Sequence, residues 1–148
     1  LVEQGEKDLG FRLLQEAVDM DAKNAVVWGN LGAMRLRNAQ LEDALAALRR
    51  AQEIAPKDAG VLYNLGVLYE RMGEARQSAE SLQEAIAYDP SLEMAYFLLA
   101  RVLIEDDRYE GARLVLREFL VRFPRSADRK RAENALQSLD GMGPGRRG

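Results

Sequence analysis

The chain contains no cysteine and no histidine. The first absence removes disulfides, thiolate nucleophiles and thiolate metal sites, and leaves the redox compartment open. The second removes the commonest metal ligand and the usual proton shuttle near neutral pH. Together they point away from catalysis, metal ions and cofactors, and leave only carboxylate chemistry to consider. No run of about 18 apolar residues is available to span a bilayer, and no charged-then-apolar leader opens the chain. A soluble protein that is not membrane-embedded is expected, its compartment, cytoplasmic or periplasmic, left open. Hydrophobic residues make up 47% and charged residues 30% of the 148, enough to build a core in one domain.

The net charge of −3 is unevenly spread. Residues 1–112 carry 12 Lys and Arg against 20 Asp and Glu, net −8, whereas residues 113–148 carry 9 against 4, net +5. A basic end can meet an acidic partner or nucleic acid. No aromatic residue lies beyond Phe123 to stack on bases, so nucleic acid is not expected and a solvated terminal helix is the plainer reading. The adjacent Asp106 and Asp107 read as a solvated turn, not an acid/base or metal pair. The glycines from Gly141 to Gly148 lack the spacing and the following helix of a phosphate loop. No catalytic or metal-binding residue is therefore assigned. Arginine outnumbers lysine 17 to 4, as in a GC-rich, bacterial genome.

What is present is a period. Trp28, Leu31 and Gly32 lead to Ala44, Leu48, Ala51 and Pro56; thirty-four residues later Leu62, Leu65, Gly66 and Tyr69 lead to Ser78, Leu82, Ala85 and Pro90. A third round has Tyr96, Leu99, Ala100 and Leu103 before Ala112, Leu116, Phe119 and Pro124. Each unit reads as two helices. Asn24 and Asp58 are placed to accept free N–H groups at the start of a first helix. Turns fall at Ala39-Gln40, Gly73 and Asp106-Asp107. Second helices, such as one over 41–54, stop before each proline, which lacks an N–H and restricts the preceding residue. Gly32, Gly66, Ala44, Ser78 and Ala51 are small where helix backbones must approach closely. Phe119 is large where its counterparts are small, which predicts contact with something other than another standard unit.

The expected organisation is a truncated unit over 1–24, full repeats over 25–58, 59–92 and 93–126, a capping helix over 127–139 begun by Ser126, and a flexible Gly/Arg tail over 140–148. Within the first unit, residues 1–5 are expected to end one helix, Gly5 to form a turn and residues 7–20 to form a second helix. Opening inside a repeat, the chain reads as an excised or processed fragment. Ala132, Leu136 and Leu139 give the last helix one apolar stripe, as a unit closing a stack requires.

These motifs resemble the tetratricopeptide repeat family, whose period is the one found here. The resemblance implies an all-α fold: a right-handed α-solenoid of antiparallel helix pairs whose first helices line a concave groove, here with a C-terminal capping helix. By register the lining is Val26, Gly29, Asn30, Ala33 and Arg37, then Tyr63, Asn64, Val67 and Arg71, then Met94, Phe97, Leu98, Arg101 and Glu105. Asn30 and Asn64 stand one period apart. A side-chain amide can pair with both the C=O and the N–H of one peptide unit, so the two look like rungs of the asparagine ladder in relatives that bind extended peptides; Leu98 breaks the series. Tyr63, Phe97, Leu98 and Met94 form an apolar end for a ligand side chain. The family's chaperone-tail clamp is excluded, because in the best register Gly29, Ala33, Met94 and Leu98 replace four of its five residues and only Asn64 matches.

The resemblance thus implies a non-catalytic adaptor or scaffold holding a protein or peptide partner through Asn30, Asn64, Tyr63, Phe97, Arg37, Val67, Arg71, Met94, Leu98 and Arg101. Substituting Asn30, Asn64, Tyr63 or Phe97 is expected to leave the fold intact. Two other readings are self-association, as a homo-oligomer through the groove or the Phe119 end, and the regulatory repeats of a larger enzyme. A short similarity of residues 116–126 to repeats of bacterial envelope-assembly proteins favours the periplasm slightly.

Overall fold

The computed structural model describes residues 2–20 and 23–143. Helix α1 spans Val2–Met20, α2 Ala25–Arg37, α3 Leu41–Ile54, α4 Ala59–Arg71, α5 Ala75–Tyr88, α6 Glu93–Glu105, α7 Tyr109–Arg122 and α8 Arg129–Asp140. The fold is an all-α solenoid: α2–α3, α4–α5 and α6–α7 pair most extensively, and each pair packs on the next.

Local chemistry sets the helix ends. Asn24 Oδ1 accepts from the N–H groups of Val26 (3.0 Å) and Val27 (3.4 Å), and Asp58 Oδ1 accepts from that of Val61 (3.1 Å). Helices α3, α5 and α7 each stop two residues before a proline. Between the members of each pair, one residue adopts left-handed backbone: Ala39 (φ 58°), Gly73 (φ 77°) and Asp107 (φ 58°), again one period apart. Glycine takes this conformation freely and aspartate tolerates it, but alanine pays about 1–2 kcal/mol for its Cβ. Ala39→Gly is therefore expected to stabilise the protein by about 0.5–1 kcal/mol, the relief of strain exceeding the added freedom of the unfolded chain. A raised urea midpoint at unchanged m-value is the readout, and a lowered midpoint would argue against a left-handed turn at Ala39.

The small residues act by distance. A Cβ on Gly32 would fall 2.6 Å from Leu48 Cγ, and one on Gly66 2.6 Å from Leu82 Cγ, so each glycine lets a buried leucine of the second helix seat against the first. Where the third unit carries Ala100 instead, α6 and α7 pack less extensively. Ser78 is buried, and its hydroxyl donates to the Gly66 carbonyl at 2.7 Å.

The core runs along the stack as three successive clusters, the first around Val18, Leu31 and Ala47, the second around Leu36, Leu48, Leu65 and Leu68, the third from Leu82 through Leu99 and Leu116 to Leu139. Phe119 is fully buried in the third. Its ring meets Phe97 (4.7 Å between centroids), Phe123 (5.2 Å) and Tyr96 (6.1 Å). The aromatic residues of its own helix pair surround it, and α8, which is not a standard unit, adds Ala132 and Leu139 to the same cluster; no Phe119 surface is left for a second copy. The Tyr96 hydroxyl donates to the Pro90 carbonyl at 3.0 Å, and burial raises its pKa above the ordinary value against the opposing pull of Arg122.

Two further expectations change. Gly5 lies inside α1 and makes no turn; a Cβ there would have no neighbour within 4 Å, and its backbone continues the helix from Val2 to Met20. Helix α8 begins at Arg129, two residues later than expected. Ser126 Oγ accepts from the Asp128 N–H at 3.1 Å and donates to Glu93 Oε2 at 2.9 Å, which fixes the preceding turn to the start of α6. Helix α8 ends at Asp140, one residue past the expected 139, and residues 144–148 of the expected tail lie outside the described residues. Among the described residues no helix is long and apolar enough to cross a membrane.

Candidate binding groove

Helix α2 contacts α4, and α4 contacts α6, while among the described residues α3, α5 and α7 do not approach one another comparably. The stack therefore curves with the first helix of each pair on the inside. At its carboxyl end the inner face opens into a cleft of ≈ 460 Å³ between α4, α6 and the start of α8. From α4 come Tyr63, Val67 and Arg71, and from α6 Met94, Phe97, Leu98 and Arg101, seven of the fourteen residues that register places on the inner face and seven of the ten that the resemblance gives to the partner. Their spacings of three, four, seven and eight place each set on one helix face. Glu70, Asp128 and Arg131 complete the wall.

Neither Asn30 nor Asn64 lines this cleft. Asn30 is exposed on α2 and Asn64 half-buried on α4. Among the described residues neither amide has a hydrogen-bond partner, so both keep a donor and an acceptor to offer. Arg37 is exposed at the end of α2, apart from the cleft. Arg71 has a structural bond, Nη1 donating to the Leu36 carbonyl at 2.8 Å, and so ties the end of α4 to that of α2. Arg101 pairs with Glu70 at 2.8 Å and approaches Glu105 at 3.8 Å.

Two lining residues belong largely to the core. Leu98 is only 8% exposed. Phe97 is half-buried, edge-on to Phe119, and the Arg131 guanidinium stands 4.6 Å from its ring centroid. The expectation that Phe97→Ala leaves the fold intact is corrected, since losing this ring opens a gap beside the buried Phe119.

Register did not reveal the α8 contribution, because Asp128 and Arg131 belong to no repeat. Nor did it reveal Arg113, which is 6% exposed. Its guanidinium donates to the carbonyls of Leu139, Met142 (2.9 Å) and Gly143 (3.5 Å) and pairs with Glu110, so it satisfies the open carboxyl end of α8. A signal for it was available: one and two periods earlier stand Ala79 and Leu45, and an arginine at an otherwise apolar inner position asks for acceptors.

Residues 63–127 match a family model described as "Tetratricopeptide repeat" and residues 39–73 a second, "TPR repeat", together covering more than half of the chain. Among curated proteins, the chain is 26% identical over 138 residues to the formate-dependent nitrite reductase complex bifunctional subunit NrfFG of Haemophilus influenzae, across 91% of this chain and 36% of that subunit. The chain thus spans about a third of that relative's length. The crystal structure of MamA superposes with a TM-score of 0.84 at 21% identity, covering 96% of this chain and 82% of MamA. The first TPR domain of Spaghetti (RPAP3), solved with an HSP90 peptide bound, superposes with a TM-score of 0.70 at 17% identity over 82% of this chain and 94% of that one. At such identities the structures share the fold.

Proposed function

Because the chain belongs to the tetratricopeptide repeat family, whose fold is that of a protein–protein interaction module, we propose that it is a non-catalytic adaptor that holds an extended segment of a partner protein along its inner face. The observation that carries this reading is the open cleft, where two successive inner helices present apolar and cationic side chains together. The unpartnered amides of Asn30 and Asn64 extend the surface toward the amino end, where they would hold the ligand backbone. The peptide bound to the Spaghetti domain supports this use of the fold, and the relative named as a subunit of a reductase complex supports a place in a larger assembly.

A peptide selected against the whole chain tests the amides. Each Asn→Ala change is expected to weaken binding by about 1 kcal/mol, roughly fivefold, and the double variant by more than about tenfold. The loss should be alike for peptides of different sequence, because an amide pairs with backbone. Unaltered affinity in a correctly folded Asn30→Ala/Asn64→Ala protein, measured by calorimetry, would refute the ladder.

A further inference from the structure

A second, smaller pocket of ≈ 220 Å³ adjoins the cleft and shares Phe97, Arg101 and Arg131 with it. It lies between α6 and α8, its walls made apolar by Phe97, Ala100, Ile104, Leu116 and Ala135. Sites for whole small molecules usually measure about 300–1,000 Å³, so this one suits a single bulky side chain. Its polar rim holds Arg101, Glu105 and Arg131, two cations against one carboxylate that itself lies 3.8 Å from Arg101. Arg101 is already paired with Glu70, but among the described residues neither Arg131 nor Arg71 makes an ion pair. The same holds for the exposed Arg125 and Lys130, which flank Asp128 at the start of α8. Cations in a first helical turn oppose the helix dipole; among the described residues Lys130 has no ion pair to offset this, and Arg131 has only its contact with the Phe97 ring.

We infer that α8 is the selective part of the groove: it takes an acidic protein segment, seating one bulky apolar side chain between α6 and α8 and the neighbouring carboxylates against Arg131 and Arg71. This rests on the peptide-binding reading above and adds the ligand's charge and direction. With net −8 on residues 1–112 and net +5 beyond them, an acidic end is repelled from the amino-terminal repeats and drawn toward α8. A nucleic-acid strand fits less well, because its unbroken row of phosphates would run past Glu70 and Asp128 and along the acidic repeats.

The test is selection of phage-displayed random peptides on the whole chain, followed by fluorescence anisotropy of the enriched sequences. Acidic sequences with one large aliphatic or aromatic residue should dominate. Their affinity should fall more than about tenfold with Arg131→Glu, change less than about threefold with Arg131→Lys, and weaken as salt rises. Ala135→Leu, which fills the pocket, should cost about tenfold for these peptides and little for versions with alanine at the anchor. Enrichment of neutral or basic peptides that depend on Asn30 and Asn64 but ignore Arg131→Glu would overturn this inference and leave the groove reading standing. Failure of any peptide to enrich, or binding of a single-stranded oligothymidylate in their place, would overturn both.

Discussion

Leu65→Ala lowers the unfolding free energy by about 2–5 kcal/mol, the range for a buried leucine whose removal leaves a cavity. Leu65 is 1% exposed and packs in the cluster that contains Leu36 and Leu48 from the preceding pair as well as Leu68 from its own helix. Its loss therefore weakens an interface between pairs in addition to one inside a pair. In a stack where each unit touches chiefly its neighbours, such seams carry cooperativity, so the unfolding transition should also broaden. Urea denaturation followed by circular dichroism measures both effects. A cost under about 1 kcal/mol would mean that Leu65 has been given the wrong place in the repeat.

Removing residues 127–148 has the larger consequence: the shortened protein aggregates or dimerises. Helix α8 buries Ala132 and Leu139 in the cluster that holds Leu116 and Phe119, with Leu120 at its edge, and its loss uncovers that surface. The deletion also strips Arg113 of the three carbonyls it serves and leaves Glu110 as its partner. Light scattering together with thermal melting gives the result. A monomer with an unchanged melting temperature would show that α8 does not cap the stack.

Periodic features were legible in the sequence because a repeated contact leaves a repeated residue. Gly32 and Gly66 exist for Leu48 and Leu82, Asn24 and Asp58 for the N–H groups ahead of them, and Ala39, Gly73 and Asp107 for one turn. Helix α3 falls on the expected 41–54 for this reason. Seven of the fourteen residues that register places along the groove meet at the cleft by the same logic. What breaks the period was not legible. Arg131 reaches Phe97 from a helix outside the repeats, Phe119 is absorbed by aromatic residues of two helices that only a fold brings together, and Arg113 acts on carbonyls twenty-six and more residues away. Gly5 misled in the opposite sense, holding a turn position by register while sitting within a continuous helix.

The most direct test of binding on the inner face is nuclear magnetic resonance mapping on the isotope-labelled whole chain, titrated with a peptide enriched from the random library. Binding in the groove predicts shifts at the side-chain amides of Asn30 and Asn64, the Met94 methyl group and the backbone of α4 and α6, with little change at the exposed Leu114 and Val121 of α7. Shifts confined to α3, α5 and α7, with the two asparagine amides and Met94 unmoved, would place the partner on the outer face and contradict the account.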